Sequence, residues 1–128
     1  GSQTAIKTNE ILINYLKNNV WSSDKFLISS FDWDELKIFR KVNQKVPVAV
    51  ITEDDPLDAI PVALELNAMA INPDYKTLNL FNIKKIKEKK LKIYPWTVNE
   101  MDDINKMIDF KVDGIITDYP DRIPKSLN

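Results

Sequence analysis

Tyr94-Pro95-Trp96-Thr97-Val98-Asn99, followed after one helical segment by Val112-Asp113-Gly114-Ile115-Ile116-Thr117-Asp118-Tyr119-Pro120, decides how this chain folds. Each stretch is a short apolar run that ends in polar residues. That is the pattern of a buried parallel strand whose C-terminal end opens onto a site. Strand ends of this kind carry chemistry in closed barrels and in open α/β sheets.

Outward from these two strands, the chain alternates strand and helix. Thr4-Ala5-Ile6, Phe26 to Phe31, Val46 to Thr52 and Ala68 to Asn72 read as the earlier strands. Asn9 is expected to cap a helix with Ile11, Leu12, Tyr15 and Leu16 at helical spacing, ended by Asn18-Asn19. Asp32 caps the next helix, with Leu36, Ile38, Phe39 and Val42 as its inner stripe. Pro61 would remove an interior hydrogen bond, so the following helix begins late, near Asp58 or Pro61, and runs through Leu66. Leu78 to Lys89 and Glu100 to Phe110 complete the helices. Gly114 is the one glycine beyond Gly1, which predicts a backbone conformation there that other residues resist. Six strands alternating with five helices predict an α/β fold built on a parallel sheet of about six βα units, with right-handed crossovers.

Composition bounds the function. A chain of 128 residues, 44% hydrophobic and 29% charged, suits one globular domain with a real core. Its 18 basic and 19 acidic residues leave a net charge of -1, so no nucleic-acid partner is expected, since such binding rests on a basic surface. Without cysteine there is no disulfide and no thiolate metal site. Histidine, the commonest acid/base group and metal ligand, is also absent, so catalysis here must use carboxylates, lysine or a borrowed residue. Gly1-Ser2 reads as a cloning scar, leaving residues 3–128 as a single domain. No apolar run approaches the roughly 18 residues of a membrane span, so the chain reads as soluble as written, with its compartment left open.

Two charge clusters invite sharper readings. Glu53-Asp54-Asp55 with Asp58 offers clustered oxygens, but it lacks calcium-loop spacing, and helix capping suffices to explain it. Lys84, Lys85, Lys87, Lys89 and Lys90 read as a solvated face near a helix C-terminus, where the dipole favours cations.

The pair W-T-V-N and V-D-G-I-I-T-D-x-P resembles the last two strands of the glycerophosphodiester phosphodiesterase family, and Leu27-Ile28-Ser29-Ser30-Phe31-Asp32 resembles an earlier one. The resemblance implies the last six strands of a TIM (β/α)8 barrel, left incomplete because the first two are missing. Those two carry the family's His-Arg-Gly and Glu-x-Asp segments, which supply the acid/base histidines and hold a divalent metal, calcium or magnesium. A third family ligand, the glutamate of a Glu-Ile-Lys strand, is replaced by Ala5 in Ala5-Ile6-Lys7. By resemblance, then, this chain has no complete catalytic set and no metal or cofactor of its own. The resemblance assigns Lys7 to the substrate phosphate and Trp96 to the pocket wall, with Ser30, Phe31 and Asn99 on the same rim. The plain alternatives are an ordinary strand-end lysine, a core tryptophan and, for Asn99 and Asp118, simple capping.

Two functions of different class follow. One is the C-terminal part of a glycerophosphodiester phosphodiesterase-like protein, inactive as this chain alone. The complete enzyme would hydrolyse glycerophosphodiesters to glycerol 3-phosphate and an alcohol. The other is a non-catalytic assembly or binding module derived from the barrel. Whether this chain is itself an enzyme is left open. A barrel lacking two strands has open edges, which predicts a homo-oligomer joined there, or pairing with the missing N-terminal part.

Overall fold

The computed structural model describes the backbone of residues 9–17 and 20–123, and side chains from Ser29 onward. The predicted strand Thr4-Ala5-Ile6 lies outside the described residues. Strands β2 (Val20–Ser30), β3 (Val48–Thr52), β4 (Ala70–Pro73) and β5 (Lys92–Ile93) form a parallel sheet. Helices α1 (Trp33–Val42), α2 (Ile60–Glu65), α3 (Leu80–Glu88) and α4 (Met101–Asp109) cross between the strands, and β6 (Gly114–Ile115) follows the last of them.

The helix expected from Asn9 is instead strand β1 (Asn9–Lys17), paired antiparallel with β2 and, through Asn14 and Tyr15, with β6. The sequence contains the competing signal. Ile11, Ile13 and Tyr15 alternate with a period of two, and Asn18-Asn19 has the composition of a two-residue hairpin connection as much as of a helix stop.

This strand changes the topology, because the sheet closes. Along the order β5-β4-β3-β2-β1-β6, the two end strands are themselves joined. Asp113 N–H donates to the Ile93 carbonyl at 3.1 Å, Ile116 N–H to Pro95 at 2.9 Å, and Val98 N–H to Ile116 at 3.0 Å. Each described strand therefore has a hydrogen-bonded neighbour on both sides. The open edges expected of a six-strand remnant are not present among the described residues, since β1 fills the gap.

The two faces of the sheet differ. Val48, Val50, Ile71 and Ile93 pack with Leu36 of α1, Ala63 of α2, Ile86 of α3 and Ile104 of α4 in the main core. On the other face Ala49, Ala70 and Tyr94 form a smaller cluster, with Met69 and Ile116 against it. All five residues of β3 are buried, as expected for a parallel strand covered on both sides. Gly114 has no positive φ, contrary to expectation. It is buried in β6, opposite Tyr15.

Helix starts follow the expected side chains with one shift. Asp32 accepts the Glu35 N–H at 3.1 Å, Asp55 starts a 3-10 turn (Pro56–Ala59) that leads into α2, and Asn79 with Asn82 makes a reciprocal capping box before α3. That box moves the start of α3 from Leu78 to Leu80. Three helices end alike. Asn67, Lys90 and Lys111 take φ of 51°, 61° and 61°, and the next residue donates back to the third-last helical carbonyl: Ala68 to Ala63, Leu91 to Ile86, Val112 to Met107. The chain then passes straight into the following strand. Arg40 secures the lower end of α1 against α2, with Nε donating to Leu66 O at 2.8 Å and Nη1 to Val46 O at 3.0 Å. Burial lowers its pKa, yet a guanidinium keeps its charge there.

A lysine in the left-handed region costs about 1 kcal/mol that glycine avoids. Lys90→Gly and Lys111→Gly should each stabilise the fold by ~0.5–1 kcal/mol, read as an increased urea midpoint with an unchanged slope.

Candidate functional site

The site expected from the sequence lies at the C-terminal ends of the parallel strands. Trp96 continues β5 there: it bridges to Asp74, its N–H donates to Pro73 O at 3.0 Å, and its indole Nε1 donates to Asn72 O at 2.8 Å. The indole is thus oriented by a backbone carbonyl of the neighbouring strand. Phe31 meets it edge to face, with ring centroids 5.6 Å apart at 80°. Phe31 directly follows β2 and Trp96 continues β5, two strands three steps apart around the ring in either direction. Their contact therefore crosses the mouth and roofs the inner face.

The remaining rim residues divide. Ser30 pairs in register with Val50, which faces the helices, and its Oγ accepts the Asp32 N–H at 2.9 Å. It supports the start of α1. Asn99 does not cap α4, whose N-cap is Glu100, but ties the two decisive stretches together. Its Oδ1 accepts Thr117 Oγ1–H at 2.9 Å and Asp118 N–H at 3.0 Å, while its Nδ2 donates to Asp118 Oδ2 at 3.1 Å. Arg122 adds a bond from Nη1 to Asn99 O at 2.7 Å and stacks 4.0 Å from the Tyr119 ring centroid. Lys7 and Ala5 lie outside the described residues.

Sequence reading missed Trp33, Thr117 and Arg122. Trp33 Nε1 donates to Ile51 O at 3.0 Å, and with Phe31, Thr52, Glu53 and Asp54 it lines a cavity of about 140 Å³ beside the rim. That volume is below the ~300 Å³ at which ligand pockets begin. A hint for Arg122 was available: it is one of two arginines among 18 basic residues, and the guanidinium of each donates to backbone carbonyl oxygen, several for Arg40 and Asn99 O for Arg122.

Carboxylates at this end serve structure. Asp55 accepts the Leu57 N–H at 3.0 Å and Asp74 the Lys76 N–H at 3.0 Å. Burial raises the Tyr75 pKa, and the hydrogen-bonded Asp103 carboxylate pushes it the same way. Among the described residues no three His, Cys, Asp or Glu side chains converge to hold a metal ion. The described donors do not fit a divalent metal.

Parallel strands with crossover helices outside and an aromatic rim at the strand ends define part of a (β/α)-barrel domain. Comparison with known proteins carries this further: residues 3–122 match the Glycerophosphoryl diester phosphodiesterase family, and the chain belongs to it. It is 30% identical over 103 residues to a glycerophosphodiester phosphodiesterase of Bacillus subtilis, covering 77% of this chain and 35% of that protein. A crystal structure of a glycerophosphodiester phosphodiesterase from Parabacteroides distasonis is similar with a TM-score of 0.60 at 29% identity, over 73% of this chain and 39% of that one. An Oleispira antarctica phosphodiesterase, solved with sn-glycerol-3-phosphate, shares the fold with a TM-score of 0.70 at 18% identity, over 76% and 39% of the two chains. The chain thus spans well under half the length of these relatives.

Asn99 is the joint of this end. Asn99→Ala removes three side-chain hydrogen bonds and should cost ~1–2 kcal/mol of stability. Near-wild-type denaturation of that variant would show that the Thr117–Asp118 loop holds itself.

Proposed function

We propose that this chain is the C-terminal part of a glycerophosphodiester phosphodiesterase-like protein, and that alone it does not hydrolyse glycerophosphodiesters. One observation carries the reading: Trp96 and Phe31 stand at the strand ends of a family barrel of which the chain covers 35% in its Bacillus subtilis relative. Five of the seven exposed large apolar side chains among the described residues support it, since Phe31, Leu80, Phe81, Met101 and Tyr119 follow the C-terminal end of a strand, whereas Val42 and Leu64 lie in the last turns of helices. In the six-strand ring the two aromatics touch and leave no room for a diester. Barrel diameter grows with strand number, so two further strands separate Phe31 from Trp96 and open a pocket between them. Lys7 then brings a positive charge to the phosphate and Trp96 an apolar wall to the glycerol carbons.

The partner that fits is the N-terminal part of the barrel. A second copy joined edge to edge is the alternative, and for either partner β1 must leave the gap that it fills between β2 and β6. A non-catalytic module remains the second reading, favoured by Ala5 at the family's glutamate position.

The test is a fusion that places the first two βα units of the Bacillus subtilis relative ahead of Gln3. With alanine at position 5 the fusion should hydrolyse glycerophosphocholine poorly. Ala5→Glu should raise the rate at least tenfold, about 1.4 kcal/mol of barrier. Equal rates with alanine and glutamate, in a folded fusion, would overturn the alignment of Ala5-Ile6-Lys7 with the family strand and the role given to Lys7.

A further inference from the structure

Among the described residues three buried polar side-chain atoms have no hydrogen-bond partner: Ser29 Oγ, Asn72 Nδ2 and Asn72 Oδ1. Both side chains are completely buried. Ser29 aligns with Ala49, and Ala49 with Ala70, so all three share the face opposite the helices. Asn72 lies on that same face two residues beyond Ala70, level with Ile51. A hydroxyl and a whole carboxamide thus lie on a buried face that also carries Ala49, Ile51, Ala70 and Tyr94, and no protein group bonds to them. Native folds leave few such groups. Asn82, also buried, shows the usual outcome: its Nδ2 donates to Thr77 O at 2.9 Å and its Oδ1 accepts the Asn79 N–H at 2.9 Å.

The spacing of the two side chains tells what kind of partner they await. They are separated by β3, roughly 10 Å across the sheet, and by two residues, about 7 Å along it. A partner for both has to supply polar groups at two heights. An extended segment does, since strands present inward side chains at every second position and the neighbouring strand adds a second column. The Phe31–Trp96 contact roofs this interior, which also argues for a partner that enters as part of the wall.

We infer that Ser29 and Asn72 are recognition residues for the strands that complete the barrel, meeting polar side chains that project inward from two further βα units. The inference rests on the barrel-completion reading above and adds to it the residues that register the two parts. It makes the polar groups unfavourable in this chain and favourable in the complete barrel, so their substitution changes sign between the two.

That sign change is the experiment. Asn72→Leu and Ser29→Ala are melted in the 128-residue chain and in the fusion described above. In the chain alone each variant should melt about 3–6 °C higher, because the orphaned group is gone. In the fusion each should melt lower by a similar amount. A lowered melting temperature for both variants in the chain alone overturns the inference, since the groups would then have partners already. Raised melting in both contexts overturns it too, and leaves barrel completion standing if the wild-type fusion folds cooperatively. A wild-type fusion that does not fold overturns both readings. Ser29→Ala removes a single atom, so it decides the matter if Asn72→Leu packs badly.

Discussion

A parallel strand carries a row of N–H and C=O groups along each side, and in a sheet both rows require partners. Everything in this structure follows from how that requirement is met by a chain that spans about a third of the Bacillus subtilis relative. The βα units from β2 onward build four parallel strands under four helices, which leaves one edge on β2 and the other on the β5–β6 side. Strand β1 answers both, bonding to β2 along almost its whole length and to β6 through two residue pairs. It runs antiparallel, as a hairpin partner must, and so closes the ring without a crossover helix. At the end of the ring where Asn9 of β1 pairs with Ser29, Phe31 meets Trp96 edge to face.

The helices are held by repeated local devices that make the closure possible. Asn67, Lys90 and Lys111 each reverse the chain in one residue, and the bond from the following residue aims it back along the sheet. In each case the pair that makes this bond also belongs to or packs on the main core: Leu91 with Ile86, Val112 with Met107, Ala68 beside Ala63. Helix end and core packing are therefore coupled through the same residues. At the other end Asn99 and Arg122 do comparable work, binding the loop after β6 to the loop after β5 through side chains.

Most of this was legible where hydrophobic runs and capping residues agree. Val46 to Thr52 and Ala68 to Asn72 announced buried strands, and Asp32 announced the helix that it caps. Trp96 was legible as a strand-end residue because Thr97 and Asn99 follow it. The misreading of Asn9 to Lys17 has a physical cause. Ile11, Leu12, Tyr15 and Leu16 satisfy a helical stripe, Ile11, Ile13 and Tyr15 satisfy a strand, and the decision belongs to the unpaired edges of β2 and β6, which no local window sees. Gly114 misled for a related reason. Its burial between neighbouring strands is a tertiary fact, whereas the left-handed positions that glycine usually marks fell to Asn67, Lys90 and Lys111.

Ser29 and Asn72 were the least legible, because nothing in a sequence says that a polar residue in a buried run will lack a partner. Ser29 lies within a recognisable strand and Asn72 ends another, and nothing in either run marks the residue as lacking a partner. Only the register, which sets them on the inner face with Ala49 and Ala70, turns them into a conflict between local environment and residue type. Conflicts of this kind collect where a protein does something beyond standing up. A ring closed by β1 can satisfy every strand edge and still leave the carboxamide of Asn72 unanswered, since backbone pairing and side-chain pairing are separate requirements. The first is met by any strand of suitable length, whereas the second calls for particular side chains at particular heights. Under the barrel-completion proposal, that difference is why β1 serves as a generic closure, to be replaced by strands whose inward residues match Ser29 and Asn72.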